Sequence, residues 1–411
     1  MPTPNVYLDA EHDVFAELDP SISTTQVKLF YITDREPKQN EDGILRYGTG
    51  RSASLAFGTA MVDLGVKITW EELLDASRTQ QRVKPLQLEL REVKELIRTP
   101  NMPIPYAMVD GIIVEEPGAA AELDLATETF RRVLVQQLAL TPRKEVFIYV
   151  HGYHNTFEDT AFSMAELWHF LGRIGVPIVY SWPSGYPGLF GYTHDRESSE
   201  FTITHLREVL SFIASLPEVD KIHLIAHSRG TDVTVDALRE LTIAARAAGF
   251  DPREKLKIHN LVLAAPDLDV QVATQRFMGD KLDFSVNRWT IYTSPADKAI
   301  GASAILYASP RGRVGTFDIE DLDDTIKLAM DFGESVPSLA FINFSIASNT
   351  VNSQLDRYGH SYFLNAPTVS SDLVLMLRDD LDPGDPGRPL EKIDLQFWRI
   401  PSGYPNRKSA N

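Results

Sequence analysis

KIHLIAHSRGTDVTVDALREL (221–241) changes character at a single residue. Lys221 to Ala226 is an apolar, β-branched run that reads as a buried strand, and Thr231 to Ala248 spaces its apolar residues with a helical period. Only His227, Ser228, Arg229 and Gly230 stand between them, which leaves room for nothing but a sharp strand-to-helix turn. A serine at the apex of such a turn sits in strained backbone, so the residues two before and two after it must be small. Ala226 and Gly230 are small. The first small position more commonly holds Gly in this motif; Ala keeps the same steric logic.

The alternation continues on both sides of this turn. EVFIYV (145–150), VPIVYSW (176–182), KIHNLVLAAP (257–266), RWTIYTS (288–294) and LAFINFSI (339–346) read as strands. Helical spacing separates them at 158–172, 198–216, 321–332 and 370–378. Strands that are apolar throughout, joined by helices, imply a mostly parallel, doubly wound α/β sheet with helices on both faces. Ligands of such sheets gather at the carboxyl ends of the strands.

Nearer the N-terminus, QVKLFYIT (26–33) and ASLAFGTAMVDLG (53–65) read as opening strands. From 67 to about 117 the pattern weakens. ITWEELLDA and LELREVKELIRT have amphipathic helical spacing, NMPIPYAMVDG breaks it, and the stretch reads as an insertion or small cap. A helix follows over 119–140, with Phe130, Val133, Leu134 and Leu138 on one face. The expected division is an N-terminal extension (1–25), one large domain (26–379) and a Pro/Gly-rich tail (380–411) whose LQFWRI is apolar enough to dock back.

The 411 residues are 43% hydrophobic and 24% charged, within the range of a soluble globular protein. With no cysteine, a disulfide, a thiolate metal site and a cysteine nucleophile are all excluded. The N-terminus lacks a signal-peptide pattern and no apolar run is long enough to span a membrane, so a cytoplasmic protein is expected. A net charge of −17 disfavours nucleic acid and anionic membrane surfaces as partners.

A serine hydroxyl at neutral pH needs a base held by a third group. In this topology the chain order is serine, acid, histidine. Of ten histidines only His259 and His360 follow Ser228, and His259 falls inside a strand. His360, in the loop RYGHSYFLN after the last strand, is left as the base. For the acid, Asp297 in YTSPADKA lies just past a strand, and Asp267 in AAPDLDV is the alternative. Two amides are expected to hold an oxyanion: that of Arg229 at the helix start, and that of Tyr153 in HGYHNTF, where Gly152 permits a sharp turn. His151 and His154 lack the carboxylate cluster a metal site would need, and neither metal nor cofactor is expected. Trp182, Tyr186, Phe190 and Tyr192 in SWPSGYPGLFGYTHD are candidates, with Gly152, for lining a substrate pocket; core packing is the competing reading for Trp182. Asp195 reads as the cap of the next helix.

Taken together, YITDREP, SLAFGTAMVDL, HGYHNTFEDT, SWPSGYPGLFGYTHDRESSE, AHSRG, LAAPDLD, YTSPADKA and GHSYFLNAP resemble a bacterial α/β-hydrolase family catalogued as domain of unknown function nine hundred, related to esterases and lipases. The resemblance covers roughly 27–377 and implies hydrolysis of carboxylic esters with Ser228, Asp297 and His360 as triad. Relatives usually carry Met after the serine where this chain has Arg229, whose side chain pairs either with an anionic substrate group or with a surface carboxylate. The expected activity is a serine carboxylesterase acting on a small-molecule ester. An amidase or acyltransferase with the same triad, and a non-catalytic binding module on the hydrolase fold, are the alternatives.

Overall fold

The computed structural model describes residues 1–8, 13–16, 18–39, 45–79, 86–188, 191–318, 339–343 and 358–405. In chain order the elements are β1 (Gln26–Gln39), β2 (Leu45–Asp63), α1 (Trp70–Arg78), β3 (Glu89–Arg98), β4 (Tyr106–Val109), β5 (Ile112–Glu115), α2 (Ala119–Leu140), β6 (Glu145–Val150), α3 (Phe157–Phe170), β7 (Val176–Ser181) and α4 (Gly191–Ser215). There follow β8 (Lys221–His227), α5 (Gly230–Ala247), α6 (Pro252–Leu256), β9 (Ile258–Ala264), α7 (Val270–Thr274), β10 (Arg288–Thr293), α8 (Lys298–Leu306) and β11 (Leu339–Asn343). A last helix (Pro367–Leu377) precedes β12 (Glu391–Asp394) and β13 (Phe397–Arg399). The helix expected at 321–332 lies outside the described residues.

Among the described residues, eleven strands form one sheet in the order β12-β13-β11-β10-β9-β8-β6-β7-β1-β2-β3. Every neighbour pair from β13 to β1 is parallel, and β12, β2 and β3 join antiparallel at the two edges. Each face is covered. In β6, Val146, Ile148 and Val150 face a core shared with α2, α4 and α5, while Phe147 and Tyr149 face a second core shared with α3 and the last helix. A strand apolar at every position after Glu145 thus buries both faces, the pattern of a covered parallel sheet. No helix among the described residues is long and apolar enough to cross a membrane.

LELREVKELIRT forms no helix: it contains β3, paired antiparallel with β2. The pairing runs Ile97 to Phe57 then Glu95 to Gly58, and Glu92 to Met61 then Leu90 to Val62, so Leu96 and Arg91 are each skipped. Two bulges in ten residues spread the apolar positions into spacings of three and four, which is the helical signature. The rest of 67–117 holds α1 and the hairpin β4–β5, which turns through Asp110 and Gly111 at positive φ.

The C-terminal segment packs back through a charged knot. Arg388 and Asp372 are both fully buried, joined at 2.8 Å and 2.7 Å, with the Tyr292 and Tyr404 hydroxyls each donating to the same carboxylate at 2.6 Å. Asp372→Ala strands the guanidinium in the core and is expected to lower the unfolding free energy by about 3–5 kcal/mol in urea titration; a loss near 1 kcal/mol would show the pair to be dispensable. His151, after β6, and His227, ending β8, are also buried. Burial holds both well below their ordinary pKa of 6.5, aided by the charge of Arg35 at His151 and by His360 at His227. Below pH 6.5 the unfolded chain therefore binds more protons than the fold, so stability is full above that pH and falls beneath it. The urea midpoint is expected to drop between pH 7.5 and pH 5, by less in His227→Gln; equal slopes in the two proteins would remove His227 from the account.

Candidate active site

β6 has β7 on one side and β8 on the other, so the chain leaves β6 and β8 toward opposite faces of the sheet. This is the switch point at which a doubly wound sheet opens a crevice. The loop after β6 and the turn after β8 meet there.

Ser228 has φ +53°, the left-handed region that a side chain enters at a cost of about 1–2 kcal/mol. The turn is held by its own peptide groups: the Ser228 N–H donates to Ala264 O at 2.9 Å, and its carbonyl accepts from the N–H groups of Thr231 at 3.1 Å and Asp267 at 3.3 Å and from the Thr231 hydroxyl at 2.7 Å. Smallness is enforced from outside. A Cβ on Gly230 would stand 2.3 Å from the His151 carbonyl oxygen, and one on Gly152 would stand 2.6 Å from the Ser228 Cβ.

Asp297 N-caps α8: one carboxylate oxygen accepts from the Ala299 and Ile300 N–H groups, each at 3.0 Å. The other accepts from His360 Nδ1 at 2.7 Å. Asp297 is buried, and a proton held on Nδ1 leaves Nε2 as the basic nitrogen of His360. The His360 ring lies 4.8 Å from that of His227, the residue before Ser228. Asp267 is buried among other partners: the hydroxyls of Ser303 at 2.6 Å and Tyr192 at 3.1 Å donate to its two oxygens, and Arg313 stands 3.6 Å away. The structure brings His360 to Asp297.

Among the described residues, the amides of Tyr153 and Arg229 have no hydrogen-bond acceptor. The Arg229 amide opens α5, where the helix dipole favours a negative charge. The Arg229 side chain turns away to protein partners: it donates to the Ser199 hydroxyl at 3.1 Å and pairs with Asp232 at 2.8 Å, while Asp232 also binds Arg276 at 2.7 Å. Of the two readings from sequence, the carboxylate pairing is the one observed.

Two expectations are corrected. Trp182 is fully buried, stacked on His151 at 5.1 Å, with its indole N–H donating to the His151 carbonyl at 2.7 Å, so the core-packing reading is the one observed. Asp195 does not cap a helix, because α4 begins at Gly191 and encloses it. Its carboxylate instead accepts from the N–H groups of Gly185, Tyr186 and His154 at 2.8, 3.3 and 3.2 Å, tying the loop after β7 to the loop after β6. Tyr186 is exposed and stacked on His194; Tyr192 is half-buried, its ring 5.0 Å from Tyr153 and 5.3 Å from Tyr307. Phe190 lies outside the described residues. Sequence reasoning missed Arg35, which is buried and bonded to His151 and Asn155. Its signal was the charged pair Asp34-Arg35 just after the apolar run 29–32 of β1. No cluster of three or more His, Asp or Glu side chains able to hold a metal occurs among the described residues.

No curated protein matches the chain. Its structure is similar, with a TM-score of 0.31 and 11% identity, to Est1E from Butyrivibrio proteoclasticus with ferulic acid bound, over 57% of this chain and 89% of that one. Residues 126–378, more than half of the sequence, match the α/β hydrolases of unknown function (DUF900), and the chain belongs to that family.

Proposed function

We propose that this α/β hydrolase is a serine carboxylesterase acting on a small-molecule ester, with Ser228, His360 and Asp297 as its triad. The observation that carries the reading is a histidine bonded to a buried carboxylate at 2.7 Å, its ring 4.8 Å from that of His227, the residue before the strained Ser228; two amides that have no acceptor among the described residues support it. In this mechanism the Ser228 hydroxyl attacks the ester carbonyl as His360 Nε2 takes its proton. Asp297 holds the imidazole in the right tautomer and stabilises the imidazolium. The Tyr153 and Arg229 N–H groups donate to the oxyanion, the proton passes to the departing alcohol, and water releases the acid by the same steps in reverse. What favours an ester over an amide is only that the motifs resemble a family related to esterases and lipases, since an amidase would use the same machinery.

Ser228→Ala and His360→Ala are expected to lose at least 10³-fold in turnover of p-nitrophenyl esters, and Ser228→Ala to lose labelling by a fluorophosphonate. Labelling that persists in Ser228→Ala would refute the mechanism. Asp297→Asn is expected to cost about 10²–10⁴-fold and Asp267→Asn less than about tenfold; the reverse order would make Asp267 the acid. Because the Arg229 side chain is engaged by Ser199 and Asp232, Arg229→Met should change kcat/KM equally for neutral and carboxylate-bearing esters. A selective loss on the charged ester would put that guanidinium in contact with substrate.

A further inference from the structure

Arg35 stands in β1 just past residues 30–33, the part paired with β7, two strands from β6, and is 1% exposed. Its guanidinium has five N–H groups, and the structure supplies an acceptor for each. Nε donates to the Ser181 hydroxyl at 2.8 Å; Nη1 donates to the carbonyls of Gly48 at 3.0 Å and Ser184 at 2.8 Å; Nη2 donates to the carbonyl of Asn155 at 2.7 Å and to His151 Nε2 at 3.2 Å. All five acceptors are neutral, and among the described residues no carboxylate lies within ion-pair distance of Arg35. Burial lowers its pKa to about 10, which leaves it charged at neutral pH. Burying a cation with only neutral acceptors in contact costs free energy that these five hydrogen bonds must offset; the carboxylates of Asp34, Asp195 and Asp159 act on it only from longer range.

The contact with His151 dictates a chain of polarity. A guanidinium has no lone pair to offer, so His151 Nε2 must be the acceptor and the imidazole proton must sit on Nδ1. Nδ1 lies 2.8 Å from the Gly152 carbonyl oxygen, to which it therefore donates. The Ser184 hydroxyl approaches the same oxygen at 3.4 Å. That oxygen belongs to the peptide unit whose other end is the Tyr153 N–H. In a trans peptide the two point in opposite directions, so drawing the carbonyl inward turns the N–H outward to the crevice. Pulling on the oxygen also strengthens the N–H as a donor.

We propose that Arg35 is a positioning residue for acyl transfer at Ser228: acting through the His151 tautomer, it orients and polarises the Gly152–Tyr153 peptide that donates to the oxyanion. The inference rests on the esterase reading above. It adds a residue far along the chain from the triad and from both oxyanion amides, together with a neutral histidine that relays its charge.

The test is a double-mutant cycle on the full chain, with active sites counted by fluorophosphonate titration. Arg35→Lys keeps the charge but has three N–H groups for five acceptors; His151→Gln leaves Arg35 in place and removes the relay. Each is expected to lower kcat per titrated site about 10- to 100-fold on p-nitrophenyl acetate with KM within about threefold, since the oxyanion forms only after binding. The double variant should lose little more than the worse single variant, because both act on one peptide. Unchanged kcat per titrated site in Arg35→Lys or in His151→Gln, or losses that multiply in the double variant, would overturn the proposal while leaving the esterase reading intact. Labelling that survives Ser228→Ala would overturn both.

Discussion

The close approach of two backbones at the switch point governs this molecule. The loop after β6 and the turn after β8 come so near that neither Gly152 nor Gly230 has space for a methyl group, and Ser228 is left in the left-handed region between them. Packing of this kind cannot relax gradually. Ser228 owes its place to it, and so do the amides of Tyr153 and Arg229, which have no acceptor among the described residues. At Ser228 the strain is offset by the hydrogen bonds of the residue's own N–H and carbonyl, each contributing about 1 kcal/mol.

What holds the surrounding loops is buried charge rather than apolar packing. Asp195 ties the loops after β6 and β7 through three backbone N–H groups. Arg35 ties the same two loops from below through carbonyls of Ser184 and Asn155, and Asp297 serves both its own helix and His360. Loops at the carboxyl ends of strands carry many peptide groups that the sheet cannot satisfy. A multidentate ion buried among them satisfies several at once and permits a single arrangement, which apolar contacts would not enforce. The knot of Asp372, Arg388, Tyr292 and Tyr404 does the same for the C-terminal segment, far along the chain.

The parts of the fold legible in the sequence were those with a strong local period. β6 to β10 read as strands because each is a short run dominated by apolar and β-branched residues, and α5 because its apolar residues recur every three or four. β3 failed on the same rule, since its two bulges copy the helical spacing while its pairing with β2 is a long-range fact. Asp195 was misjudged because an N-cap is a local pattern, whereas its partners lie in loops that precede it by nine or more residues. Trp182 was open to two readings until its burial against His151 decided between them.

By itself the sequence determined the doubly wound sheet, the turn at Ser228 and the small residues beside it, because each follows from spacing along a few consecutive positions. Chain order and elimination also selected His360 from ten histidines. Only the tertiary structure decided that Asp297 rather than Asp267 meets His360, that the Arg229 guanidinium is held by Ser199 and Asp232, and that Arg35 reaches His151 across more than a hundred residues. A buried ion is placed by which acceptors the completed fold leaves unsatisfied, and no local stretch of sequence carries that information.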